Sequence, residues 1–174
     1  GIDSSIVTVL AAAYQKEHDE VLNTFSFDFT ENDIYFKSNA FQPERDLPYV
    51  NCMLEHCKTN HTYLECTQET LADMLYAAVD AKDMPGMTDV DASLLYFCSL
   101  VKKQNKVTLT GECADEIFGG YPWFYRTELM NRDGFPWSAD TDARTAFLDD
   151  DVIQKLDLSS YSHARYEESL KKVT

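Results

Sequence analysis

The sequence predicts an α/β fold: a mostly parallel sheet with helices on both faces, continued by a helical C-terminal extension. Three observations carry this. Asn23–Phe29 reads NTFSFDF, with Phe25, Phe27 and Phe29 at every second position, the period of a strand. His61–Cys66 (HTYLEC) and Lys106–Thr110 (KVTLT) are two more short stretches of strand character. Helical patterns of roughly 12–16 residues separate the three, as in sheets whose strands run parallel and cross over through helices.

The elements follow in order. Gly1-Ile2-Asp3-Ser4-Ser5 places small hydroxyl residues before an apolar run, a helix start signal, and the helix spans about Ser4 to Gln15. Lys16–Leu22 is a polar connection to the first strand. Thr30–Phe41 has no periodicity and reads as loop. The next helix runs to about Lys58 and begins near Pro48, because proline is tolerated in a first turn and not inside a helix. After the HTYLEC strand, Thr67 caps a helix reaching about Lys82. Its Leu71, Met74, Leu75, Ala78 and Val79 fall on one face. The Pro-Gly pair of Asp83–Thr88 marks a loop, and Asp91–Lys103 is helical. Lys106–Thr110 is then a buried strand that runs into a Thr110-Gly111 turn. Beyond Gly120 the pattern changes: Tyr121–Trp137 is aromatic and punctuated by Pro and Gly, and Asp140–Thr174 reads as helices only. The core is therefore set at residues 1–125 and the helical extension at 126–174.

Composition bounds the function. At 174 residues, with 44% hydrophobic and 13% aromatic residues, the chain is about one folded domain. A net charge of −15 excludes nucleic-acid binding through a broad basic face. The longest apolar run, Ile6–Tyr14, is too short to span a bilayer. Five cysteines (Cys52, Cys57, Cys66, Cys98 and Cys113) include no CxxC pair and fit free thiols in a reducing cytoplasm. His56, Cys57, His61 and Cys66 do not match zinc spacings and read as buried cysteines with surface histidines.

Two stretches carry chemistry. Gly1–Ser5 offers free backbone N–H groups, two hydroxyls and one carboxylate at a helix N-terminus, the ingredients of a pyrophosphate cradle. Lys106–Tyr125 (KVTLTGECADEIFGGYPWFY) follows a strand with a glycine turn and three carboxylates, Glu112, Asp115 and Glu116. Ligands of α/β sheets bind beyond the carboxyl ends of strands, where these stretches would meet. Asp3 and Asp115 could there share a Mg²⁺ that offsets phosphate charge, and Glu112 could serve as acid or base. Neither a GxxxxGKS/T nor a GxGxxG motif occurs, so Walker-type kinases and dinucleotide dehydrogenases have no footing.

GIDSS resembles the end of the SGGxDSS pyrophosphate loop of the N-type ATP pyrophosphatases. TGECADEIFGGYPWF resembles the SGExxDExFGGY signature of the glutamine-hydrolysing asparagine synthetases. With NTFSFDF and the DASLLYF helix, the resemblance covers nearly the whole chain. It implies an adenine nucleotide alpha hydrolase-like (Rossmann-like) core that binds ATP and Mg²⁺ and adenylates aspartate. Pyrophosphate is released, and ammonia then displaces AMP to give asparagine. Carried over residue by residue, it implies that Gly1, Ser4 and Ser5 contact pyrophosphate and that Asp3 and Asp115 hold Mg²⁺. Phe27 borders the adenine through its backbone, Thr110 and Gly111 line the AMP pocket, and Glu112 is the catalytic carboxylate. Glu116 supports the turn, Gly119 and Gly120 let the next loop fold back, and Trp123 and Phe124 pack in the core.

The same resemblance implies a piece of a longer enzyme. The strand and Ser-Gly before Gly1, the N-terminal glutaminase domain and the later catalytic lysine have no counterpart here, so the fragment alone is expected not to turn over. The partners implied are that glutaminase domain, ATP, aspartate and ammonia, with a homodimer left open. Where the family carries Thr and Arg for aspartate, this chain reads GMTDVD. Thr88 remains, but Asp89 and Asp91 would repel a carboxylate substrate unless they turn away. A β-lactam synthetase-like amide former and a nucleotide-binding module without catalysis are the alternatives.

Overall fold

The computed structural model describes residues 1–39, 42–138 and 145–173. They form two compact units, Gly1–Glu112 and Cys113–Thr174.

The first unit opens with α1 (Ile2–Glu17), whose N-cap is Gly1 and whose first turn carries Asp3. Strand β1 (Asn23–Phe29) pairs in parallel with β2 (Asn60–Cys66), in the register Thr24↔His61, Ser26↔Tyr63 and Phe27↔Leu64. Between them α3 (Leu47–Cys57), with proline in its first turn, ends at Lys58 in a left-handed conformation. A short helix, α2 (Asn32–Tyr35), precedes it. After β2 come α4 (Gln68–Lys82) and α5 (Thr88–Val101), which pack on each other, while α1 packs on α3.

Strand alternation divides the sheet into two chemically different faces. On one, the Phe27 ring meets Phe29 edge-on at 5.5 Å and Phe97 of α5 at 5.6 Å. Cys66, fully buried at 0% exposure, lies at the end of β2. The other face carries Thr24, Ser26 and Asp28 beside His61 and Tyr63 and looks toward residues of α1 and α3. The α4 cap follows the sequence: the Thr67 hydroxyl accepts from the Thr70 N–H at 3.1 Å. Thr67→Ala removes that bond and is expected to cost about 1 kcal/mol. Calorimetry should show the unfolding midpoint lowered by about 2–4 °C.

Two of the differences from the sequence reading concern whole elements. Thr30–Phe41 is not all loop, because α2 forms within it. Asp28 Oδ1 accepts from the Phe29 N–H at 2.8 Å and from Asn32 Nδ2 at 2.6 Å, which pins the start of that turn. The second difference is Lys106–Thr110, which forms no strand. Val107 and Leu109 stand 75% and 72% exposed. An apolar run becomes a strand only where a neighbour presents backbone groups about 4.8 Å away, and β1 and β2 pair only with each other among the described residues. The segment still starts beside β1, through a hydrogen bond from Asn23 Nδ2 to Asn105 Oδ1 at 3.3 Å.

The second unit holds α6 (Ala114–Phe118), single 3₁₀ turns at Pro122–Phe124 and Pro136–Ser138, α7 (Thr127–Met130), α8 (Asp150–Leu156) and α9 (Leu158–Leu170). Its aromatic residues associate, but Phe124, expected in the core, stands 43% exposed on its 3₁₀ turn, touching only the Tyr121 and Trp123 rings among the described aromatic contacts. Tyr121 stacks on Trp123 at 4.4 Å, and Phe135 stacks on Trp137 at 4.9 Å and meets Tyr166 of α9 edge-on. Residues 139–144, where the all-helical stretch was expected to begin, lie outside the described residues. Among the described residues no helix is long and apolar enough to cross a membrane.

Candidate active site

The site is built around the first turn of α1. The first N–H groups of any α-helix have no intrahelical acceptor, and no side chain caps these. The Ser4 and Ser5 hydroxyls donate to the Gly1 carbonyl at 3.1 and 3.0 Å, which fixes both side chains at the helix mouth. Their oxygens can still accept, and the open N–H groups can donate to an anion.

The TGE turn comes to this mouth. A Cβ added at Gly111 would stand 2.8 Å from the Ser4 nitrogen, 2.9 Å from Asp3 Cβ and 3.2 Å from the Asp3 carbonyl carbon. Two backbones touch there, and only a residue without a side chain permits it. Thr110 shapes the turn, its hydroxyl accepting from the Glu112 N–H at 3.3 Å. Of the residues singled out from sequence, Asp3, Ser4 and Gly111 are thus brought together.

A cavity of about 260 Å³ opens beside them, lined by Gly1, Ser4, Ser5, Phe27, Tyr49 and His61 among others. That lies just under the range of about 300–1,000 Å³ usual for small-ligand clefts. Phe27 borders it while its ring packs against Phe97 on the other side of the sheet, so the strand offers the cavity its backbone.

Asp115 and Glu116 belong to the second unit, on α6. The peptide N–H groups of Gly119 and Gly120 both donate to the Asp115 carbonyl at 3.0 Å. The Asp115 carboxylate lies against Gly120, where a Cβ would meet Oδ1. Glu116 Oε1 accepts from the Tyr121 hydroxyl at 3.2 Å, so it braces the loop that follows.

Only Gly86 and Met87 of GMTDVD are loop, because α5 begins at Thr88, ahead of the expected Asp91. Asp91 is held by Lys82 Nζ at 2.8 and 2.9 Å and is largely buried. Its charge is offset across the α4–α5 junction by Lys82, the last residue of α4, so Asp91 is not the free repelling charge that the sequence suggested. The Asp89 side chain lies outside the described residues.

Sequence reasoning missed two features of the polar sheet face. Asp28 binds Asn32 and the Tyr63 hydroxyl, the latter at 3.2 Å, and faces Arg45 at 3.6 Å. Burial and the Asp28 carboxylate push the Tyr63 phenol up from its ordinary value. Beside it, His61 bonds two hydroxyls at once: Nδ1 to Thr24 Oγ1 at 3.0 Å and Nε2 to Ser26 Oγ at 2.9 Å. Thr24 continues the chain to Thr59 at 2.7 Å. His61 is therefore half-buried and fully engaged rather than a surface histidine, and burial lowers its pKa. The available signal was the alternation itself, since Thr24 and Ser26 share the face opposite the phenylalanines.

On this α/β scaffold a helix N-terminus abuts a glycine turn beside a cleft, an arrangement able to accept an anion. The whole chain, residues 1–174, matches the asparagine synthase family, and the protein belongs to it. It is similar to asparagine synthetase [glutamine-hydrolyzing] 3 of Bacillus subtilis (strain 168), with 48% identity over 171 residues. That match takes in 98% of this chain and 28% of the relative's length. No solved structure matches it.

Proposed function

We propose that the chain forms the nucleotide-binding part of an amide-forming ligase that adenylates aspartate and yields asparagine, with AMP and pyrophosphate as by-products. The observation that carries this is the backbone contact of Gly111 with Asp3 and Ser4, which joins the two sequence motifs into one anion-accepting mouth. Membership of the asparagine synthase family supports the same chemistry. We take the scaffold to be the adenine nucleotide alpha hydrolase type, with the two-stranded parallel sheet as part of its core.

In this reading ATP lies along the cavity. Gly1, Ser4 and Ser5 receive the leaving pyrophosphate, and the Phe27 backbone, Thr110 and Gly111 border the AMP portion. The aspartate side-chain carboxylate attacks the α-phosphorus, and the bond to pyrophosphate breaks. Ammonia then attacks the acyl carbon, AMP leaves, and Glu112 takes up the proton that the new amide sheds. Thr88, the first residue of α5, stands in the stretch assigned to aspartate, with Asp91 neutralised by Lys82.

A Mg²⁺ is part of this proposal. That ion is usually held by one or two carboxylates together with phosphate oxygens. Asp3 makes no ion pair among the described residues, and no group of three candidate ligands occurs among them. Asp3 and Asp115 are the proposed ligands, and the ion would offset charge on the departing pyrophosphate. A glutaminase domain is the proposed ammonia source, and the cytoplasm the proposed compartment.

The test is exchange of labelled pyrophosphate into ATP by the full-length enzyme, which reports reversible adenylation. There, exchange that depends on aspartate is expected. Exchange with other carboxylates but not aspartate would point instead to an amide synthetase of the β-lactam type. ATP binding without any exchange would leave a nucleotide-binding module.

A further inference from the structure

We infer that His61 is a positioning residue for the nucleotide, holding the Ser26 and Thr24 hydroxyls in a fixed donor and acceptor pattern on the cavity wall. The inference rests on the nucleotide reading above and adds a residue that reading does not use. Thr24, Ser26 and His61 all line the cavity that also contains Gly1, Ser4 and Ser5. The register Thr24↔His61 sets the imidazole level with the two hydroxyls it bridges.

A neutral imidazole has one N–H and one lone pair. It therefore donates to one hydroxyl and accepts from the other. The hydroxyl that gives its proton to His61 turns its lone pairs outward. The hydroxyl that accepts from His61 keeps its own proton for the cavity. The Thr24–Thr59 bond extends this ordering by one more group. Protonation changes the pattern, because an imidazolium donates at both nitrogens and forces both hydroxyls to accept from it. One polar group on the wall then reverses its sense toward a bound ligand.

The surroundings leave this change to His61 itself. On β1 the nearest charged group of the same face is Asp28, which is already engaged by Asn32, Tyr63 and Arg45. On β2 that face carries Tyr63 and Glu65. From the α3 side the cavity receives Asp46 and Tyr49, the latter bonded to Glu44. None of these is hydrogen-bonded to the imidazole.

The experiment measures ATP affinity by calorimetry for the chain, for His61→Phe, for His61→Gln and for Ser26→Ala, from about pH 8 to pH 5 around the ordinary imidazole value of 6.5. Burial holds the His61 pKa below 6.5, so the neutral pattern is complete above that value and is lost as pH falls through the lower one. At pH 8, His61→Phe is expected to weaken binding about three- to tenfold, the worth of one ordered hydrogen bond. His61→Gln should restore part of the loss, since an amide also offers both a donor and an acceptor. The wild-type chain should lose affinity toward pH 5 more steeply than His61→Phe, whose profile reports the nucleotide's own titration. Combining His61→Phe with Ser26→Ala should cost little more than either alone. Circular dichroism of each variant checks the fold. Wild-type binding that His61→Phe matches at every pH would overturn the inference and leave the nucleotide reading standing. Absence of ATP binding by the wild-type chain at all pH values would overturn both.

Discussion

In the full-length enzyme, replacing Glu112 by glutamine is expected to lower asparagine formation about 10²- to 10⁴-fold, the usual worth of a positioned acid or base. Affinity for ATP should stay close to that of the unsubstituted protein. Glu112 lies on an exposed turn held by its peptide N–H, which donates to the Thr110 hydroxyl, so the exchange of one side-chain oxygen for an NH₂ group leaves the turn intact. Glutamine keeps the size and loses the proton acceptor. Steady-state kinetics should therefore show kcat and kcat/KM falling together, the signature of an interaction made only in the transition state. A fall in ATP affinity of the same size, with kcat preserved, would make Glu112 a binding residue and defeat the catalytic assignment.

The second large effect is expected at Gly111. Alanine there places a Cβ 2.8 Å from the Ser4 nitrogen, a contact with backbone that no rotamer change relieves. Overpacking of this kind typically costs about 1–3 kcal/mol. Part of it is relieved if the turn moves off the α1 mouth, and then the Asp3–Ser4 side of the cavity loses its neighbour. Gly111→Ala should accordingly weaken nucleotide binding by about one to two orders of magnitude, which is the same energy expressed as affinity. Gly134→Ala is the control: its φ of +119° strains any side chain, but no atom lies within 4 Å. If Gly111→Ala binds ATP no worse than that control, the Gly111 contact has no part in the site.

Much of the first unit was legible because local signals agreed with tertiary context. The period-two phenylalanines, the Thr67 cap and the proline in the first turn of α3 each state their element in a few residues, and each element forms. Lys106–Thr110 was misread for a different reason. Its apolar pattern describes what the residues would do beside a neighbouring strand, and a pattern contains no information on whether the neighbour is there. The glycine turn was legible as a ligand-facing feature, but its contact with Asp3 and Ser4 is a long-range fact that spacing cannot provide. The His61 chain was hidden for a similar reason. Two hydroxyls on β1 and one imidazole on β2 become a unit only through the parallel register. Asp91 shows the converse case, a charge that looked hostile to a substrate until its partner Lys82, nine residues earlier, was found beside it.

The seal over Cys66 makes the protein its own folding reporter. Of the five free thiols, Cys52, Cys98 and Cys113 are open to solvent and Cys57 partly so, while Cys66 is closed off at the end of β2. Burial also raises its pKa, so little of it is thiolate while the fold is closed. A thiol reagent applied in short pulses should modify the exposed cysteines at once and Cys66 only when β2 parts from its cover. The ratio of the two rates, followed by mass spectrometry of the peptides, would read out how often this part of the sheet opens. A nucleotide bound in the proposed cavity against β1 should slow that clock.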